Sequence, residues 1–119
     1  MLAIQMTATG SVDVLKVVEL PEPVPTAGQV KVRIMAAGIN PVDTKLRNRG
    51  LLFPDAMPAI LGCDAAGVVT ECGPGVALFH PGDEVWFCHG GLGREPGNYA
   101  EYTVVDEKIA RKKPASLSF

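Results

Sequence analysis

Few side chains in this sequence stand at spacings that suit chemistry. Cys88-His89 offers a thiol and an imidazole, half of a zinc site, yet no second pair lies at the spacing that would complete a tetrahedron. Cys63 stands beside Asp64 in a run of small residues, where a cysteine reads as a small buried hydrophobe more readily than as a nucleophile. Cys72 forms no C-x-x-C pair with either. An odd, sparse set of cysteines points to a reducing, cytoplasmic setting and away from a disulfide framework. His80, in His80-Pro-Gly-Asp83, reads as a turn residue. Gly91-Leu-Gly93 opens like a dinucleotide fingerprint, but Pro96 occupies the last glycine's position. No helix follows it to aim an N-terminus at a diphosphate. P-loop, HExxH and GxSxG runs do not occur.

The elements that position these residues belong to a small domain. A length of 119 residues suits one domain, and 47% apolar with 20% charged residues is the balance of a folded globule, which excludes disorder. The formal net charge is −2 and the longest basic run is Arg111-Lys112-Lys113, so no nucleic-acid footprint is present. Apolar runs fall far short of the ~18 residues of a membrane helix, and Met1 to Met6 lacks the basic-then-apolar build of a signal peptide. Thirteen Gly and ten Pro imply many turns joining short strands.

Strands are expected at Leu2–Met6 and Val12–Val18, split by the Thr9-Gly-Ser11 turn. Val30, Val32, Ile34 and Ala36 alternate with Lys31, Arg33 and Met35, the period-2 signature of a half-buried strand from Gln29 to Ala37. A helix is expected over Pro41–Arg49. Asn40 suits its N-cap, Pro41 its first turn and Asp43 a reach back to the cap, while Gly50 suits a left-handed C-terminal cap. Gly62, Ala65, Ala66 and Gly67, within Ile60–Glu71, imply close backbone approach at a bulge or bend. Further strands are expected at Glu84–Cys88, Asn98–Val105 and Lys108–Arg111. The fold class is mainly β, a partly open β-barrel with one or two short helices.

Four segments occur in a familiar order: Ala37-Gly-Ile-Asn-Pro-Val-Asp-Thr44, Leu61-Gly-Cys-Asp-Ala-Ala-Gly-Val-Val69, Pro81-Gly-Asp-Glu-Val-Trp86 and Gly97-Asn-Tyr-Ala-Glu-Tyr102. Together they resemble the N-terminal, GroES-like catalytic domain of the medium-chain dehydrogenase/reductase superfamily, and within it the quinone oxidoreductase branch. The resemblance spans essentially the whole chain. It implies that residues 1–119 are the catalytic domain, with a Rossmann cofactor domain expected to follow.

In the superfamily's zinc alcohol dehydrogenases, the metal is held in part by a Cys at the position of Asn40 and by a His-Glu pair at Cys63-Asp64. Asn is a poor zinc ligand, and the hydroxyl residue of those enzymes is replaced by Val42, so the resemblance implies no zinc. It implies instead hydride transfer from NADPH, or NADH, to a quinone, an enone or a related activated carbonyl compound, with the cofactor bound mainly by the other domain. Asn40 and Asp64 are the catalytic candidates. The Asn40 amide would donate to a carbonyl oxygen besides capping its helix, and Asp64 would hold the site's loops. Lys45 stands where the branch often carries a Tyr. With Arg47 and Arg49 it is either a solvated face or a contact to cofactor phosphate, so Asn40 and Lys45 are the cofactor-binding candidates. The partners implied are NAD(P)H and a small-molecule substrate, with the longer protein a homo-oligomer and this fragment inactive alone. Two alternatives stay open: a stand-alone GroES-like binding or assembly module, and a domain of a divergent zinc alcohol dehydrogenase.

Overall fold

The computed structural model describes residues 1–119 and contains eight strands and one α-helix. In chain order these are β1 (Leu2–Met6), β2 (Leu15–Glu19), β3 (Gln29–Ala37), α1 (Pro41–Arg49), β4 (Ala59–Ile60), β5 (Asp64–Cys72), β6 (Glu84–Cys88), β7 (Tyr102–Asp106) and β8 (Arg111–Lys112). They form a three-stranded sheet ordered β2-β1-β4 and a five-stranded sheet ordered β7-β3-β5-β6-β8, with antiparallel pairing throughout. An isolated bridge between Ala3 and Ala100 links the two, and they do not close into a barrel.

Alternation along the strands builds the larger core. Val30 and Val32 of β3, Ala65 and Val69 of β5, Val85 and Phe87 of β6, and Val105 of β7 turn inward and are buried together with Phe79 and Ala110. Burial along β3 fades toward its end: Val30 and Val32 are inaccessible, Ile34 is half-buried and Ala36 is exposed. A register shift between Ile34 and Ala36 in the pairing with β5 coincides with the change. The smaller core gathers Met6, Leu46, Leu51, Ala59 and Leu61 beneath α1, with Val42 packed against it. Gly67 lets β3 and β5 approach, since a Cβ there would run into the Arg33 carbonyl.

Four expectations need correction. Val12–Val14 is a 3₁₀ turn in which the Ser11 side chain accepts from the Asp13 N–H, so β2 starts only at Leu15. β7 starts at Tyr102, where pairing with β3 begins; before it the Asn98, Tyr99 and Glu101 N–H groups donate to Gly62, Leu61 and Leu2 instead of to β3. Lys108 and Ile109 lie in a turn held by Asp106, and the last strand is Arg111–Lys112. Gly50 has φ 107° and ψ 163°, a positive-φ extended conformation open essentially to glycine but outside the left-handed helical region. No helix is long and apolar enough to cross a membrane.

Candidate active site

The segments that carry the sequence's candidate residues meet where β3 runs into α1 and β4 into β5. Asn40 leaves β3 with extended dihedrals and stands at the N-cap of α1, with Asp43 reaching back to it as the second half of a capping box. The Asn40 main-chain N–H donates to Asp43 Oδ2 at 2.8 Å. Its side-chain Nδ2 points the other way and donates to Asp64 Oδ2 at 3.0 Å. Asp64 Oδ1 accepts the Gly38 N–H at 3.0 Å. Glycine leaves room for that carboxylate, since a Cβ at Gly38 would displace it. Asn40 and Asp64 are thus brought together, both half-buried.

Cys63 completes the corner. Its Sγ lies 3.7 Å from Asn40 Nδ2, and its carbonyl accepts the His89 N–H at 2.8 Å. Burial pushes the Cys63 thiol above its ordinary range, and Asp43, Cys88 and Asp64 add to the shift, so the group is a protonated thiol at neutral pH. Lys45 is not part of this corner. It is exposed on α1, forms no ion pair and lines none of the cavities that border the site.

Two hollows flank the corner. An open groove of about 630 Å³ has Ala36, Ala37, Gly38 and Ala66 among its lining, with Asp64 and Trp86. A smaller one of about 300 Å³ lies between β1 and α1 and reaches Asp43, Ile39 and Tyr99.

Sequence reasoning found Asp43 as a cap and missed its reach. The side chain is buried at 4% exposure and accepts from three segments: Asn40 N–H, Gly62 N–H at 3.2 Å and the Tyr99 hydroxyl at 2.7 Å. Burial, then the Asp43 carboxylate, push the Tyr99 phenol well above its usual range. Neighbouring Asn98 is also buried, and its Nδ2 donates to the Gly62 and His89 carbonyls while Oδ1 has no partner within the protein. The signal available for both was the run Gly97-Asn-Tyr-Ala-Glu-Tyr102, which marked a family resemblance without disclosing its contacts.

Two groups can be set against the residues present, zinc and a dinucleotide. No three His, Cys, Asp or Glu side chains gather at metal-binding distance. The amide N–H of Asn40 points at the Asp64 oxygen and the Cys63 sulfur, so the electron pairs a zinc ion would need already face a donor. The residues do not fit zinc. For a dinucleotide, the glycine run is committed elsewhere: a Cβ on Gly91 would meet the Gly62 backbone, and one on Gly93 would meet the Phe53 ring.

Residues 26–115 match the family model described as the alcohol dehydrogenase GroES-like domain. The chain belongs to that family. The GroES-like domain is 39% identical over 100 residues to a trans-enoyl reductase of Fusarium mangiferae, covering 84% of this chain and 25% of that protein. It is 37% identical over 106 residues to a zinc-type alcohol dehydrogenase-like protein of Staphylococcus aureus, covering 89% of this chain and 30% of the relative. Among solved structures, Escherichia coli quinone oxidoreductase complexed with NADPH superposes on the whole GroES-like domain with a TM-score of 0.88 at 33% identity, over 35% of its own chain. The domain therefore spans a quarter to a third of the curated relatives it matches.

Proposed function

We propose that this GroES-like domain is the substrate-side part of a longer, zinc-independent reductase. That reductase uses NAD(P)H to reduce a quinone, an enone or a related activated carbonyl compound, and residues 1–119 alone are inactive. One observation carries the reading. Asn40 Nδ2 is anchored by one hydrogen bond to Asp64, while on its other side it faces only Cys63 Sγ at 3.7 Å. A protonated thiol is a weak acceptor, so a substrate oxygen displaces it readily. The Asn40 amide then offers an N–H whose direction is set before the substrate arrives, which suits stabilisation of a developing oxyanion.

In this reading Asn40 is the catalytic donor and Asp64 the residue that orients it. Gly38 and Ala37 keep the approach along the open groove low and apolar. NAD(P)H, when bound, supplies the hydride. Lys45, a free cation on the exposed side of α1, is the residue this chain offers to the cofactor. The length of the relatives supports a separate dinucleotide-binding part, since this chain covers only 25% and 30% of theirs. The inward-facing Asn40 amide supports zinc independence.

The test is purification of the longer protein, metal analysis, and assay with each nicotinamide cofactor against quinones, enones and alcohols. Expected are no stoichiometric metal, reduction of the activated carbonyls, and a kcat loss of roughly 10²–10³-fold in Asn40→Ala with KM little changed. One tightly bound zinc per chain, or activity on alcohols alone, overturns the reading.

A further inference from the structure

We infer that Tyr99 and Asp43 are positioning residues for Asn40, together forming a buried strut that sets where the Asn40 amide points. The inference rests on the proposed role of Asn40 for its catalytic meaning, and on geometry alone for the strut.

A carboxylate buried to 4% exposure must be satisfied by donors, or it destabilises the fold. Asp43 draws its donors from three separate stretches of chain. Oδ2 takes the Asn40 N–H at the start of α1 and the Tyr99 hydroxyl from the loop before β7, while Oδ1 takes the Gly62 N–H between β4 and β5. The segment bearing Asn40 is therefore tied to the segment bearing Cys63 and Asp64 through one side chain. The Asn40 amide closes the ring by donating to Asp64 Oδ2. Two links of fixed length, one through main chain and one through side chain, leave the amide little freedom to turn.

Tyr99 braces this ring from below. Its aromatic edge lies against Gly62, where a Cβ would come within 2.7 Å of the ring carbons, so the Gly62 segment cannot sink toward it. Gly62 holds φ at 95°, a conformation that other residues adopt only with strain. Asn98, next in chain to Tyr99, holds the Gly62 carbonyl by a hydrogen bond from its Nδ2. The hydroxyl lies 2.7 Å from Asp43 Oδ2, and burial and the Asp43 carboxylate raise the phenol above its usual range, so it keeps the proton it donates. A structural tyrosine needs only its ring here; the hydroxyl is what reaches the carboxylate that holds Asn40.

Tyr99→Phe separates the two roles, because it keeps the ring and removes the donor. The readout is NMR of the 119-residue chain, with the Asn40 side-chain amide assigned by its loss in Asn40→Ala. In the wild type, the Asn40 and Gly62 main-chain N–H groups should be protected from hydrogen exchange. In Tyr99→Phe, the Asn40 side-chain amide should shift and exchange roughly tenfold faster, while the Asn98 side-chain amide is unmoved. Asp43→Asn, should the first variant not fold, reads the same resonance. An unprotected Gly62 N–H in the wild type, or an Asn40 amide unchanged in a folded variant, overturns the strut. In the longer protein, Tyr99→Phe should lower kcat with cofactor KM unchanged. A displaced Asn40 amide with full kcat upholds the strut and overturns the donor role assigned to Asn40.

Discussion

Asn40 and Asp64 meet amide to carboxylate, 3.0 Å apart, across the seam between α1 and β5. The contact is specific to the neutral side chain. Asn40→Asp retains a good helix cap but sets two carboxylates face to face, and ionising both at that distance is costly. The variant should lose about 2 kcal/mol of stability at pH 7.5, and the deficit should shrink toward pH 4 as a proton bridges the pair. Urea denaturation of both proteins at the two pH values checks this. A deficit independent of pH would place the damage elsewhere.

Two glycines in the same region should answer alanine differently. At Gly67 the added carbon meets the Arg33 carbonyl, which is part of the β3–β5 ladder and has nowhere to go. A loss of about 3 kcal/mol is expected. At Gly38 the obstacle is the Asp64 carboxylate, a side chain that can swing away. Gly38→Ala should therefore cost only about 1 kcal/mol of stability while breaking the hydrogen bonds from Gly38 and Asn40 to Asp64. Denaturation midpoints, read beside the Asn40 side-chain amide resonance, separate the two effects.

Alkaline conditions should weaken the fold from about pH 9 upward. Cys63 and Cys72 are raised from 9.0, chiefly by burial. Tyr99 is raised from 10.0 by burial and then by Asp43, and Lys31 from 10.5 by its hydrogen bonds to Glu71 and Glu22. Each group holds its proton more tightly in the folded chain than in the unfolded one. Their stabilising contributions are complete below the unfolded values and are lost as pH climbs through the folded ones. Urea midpoints measured at pH 8, 9.5 and 10.5 should fall in that order, less steeply above pH 10 in Tyr99→Phe. A flat profile would contradict the shifts.

What was legible in the sequence was what neighbours in the chain decide. Helix α1 has the expected bounds, Pro41–Arg49, because the cap, the first-turn proline and the reach of Asp43 back to Asn40 all lie within three residues. Strand β3 was legible because alternation needs only a sheet on one side, and Val30 and Val32 are buried as the pattern requires. Val12–Val14 misled because the Ser11 hydroxyl accepts from the Asp13 N–H and the three residues form a 3₁₀ turn, a local hydrogen bond that outweighs the β-propensity of the two valines.

Tertiary structure alone decided how the corner is wired. Asp43 meets Gly62 across 19 residues and Tyr99 across 56, and Asn40 meets Asp64 across 24. No periodicity encodes such pairs. They follow from the sheet order that sets β5 between β3 and β6 and from the bridge that brings the chain before β7 back to β1. Residue types named Asn40 and Asp64 as candidates, but a capping asparagine and a strand-end aspartate become one hydrogen-bonded unit only when the fold desolvates them side by side.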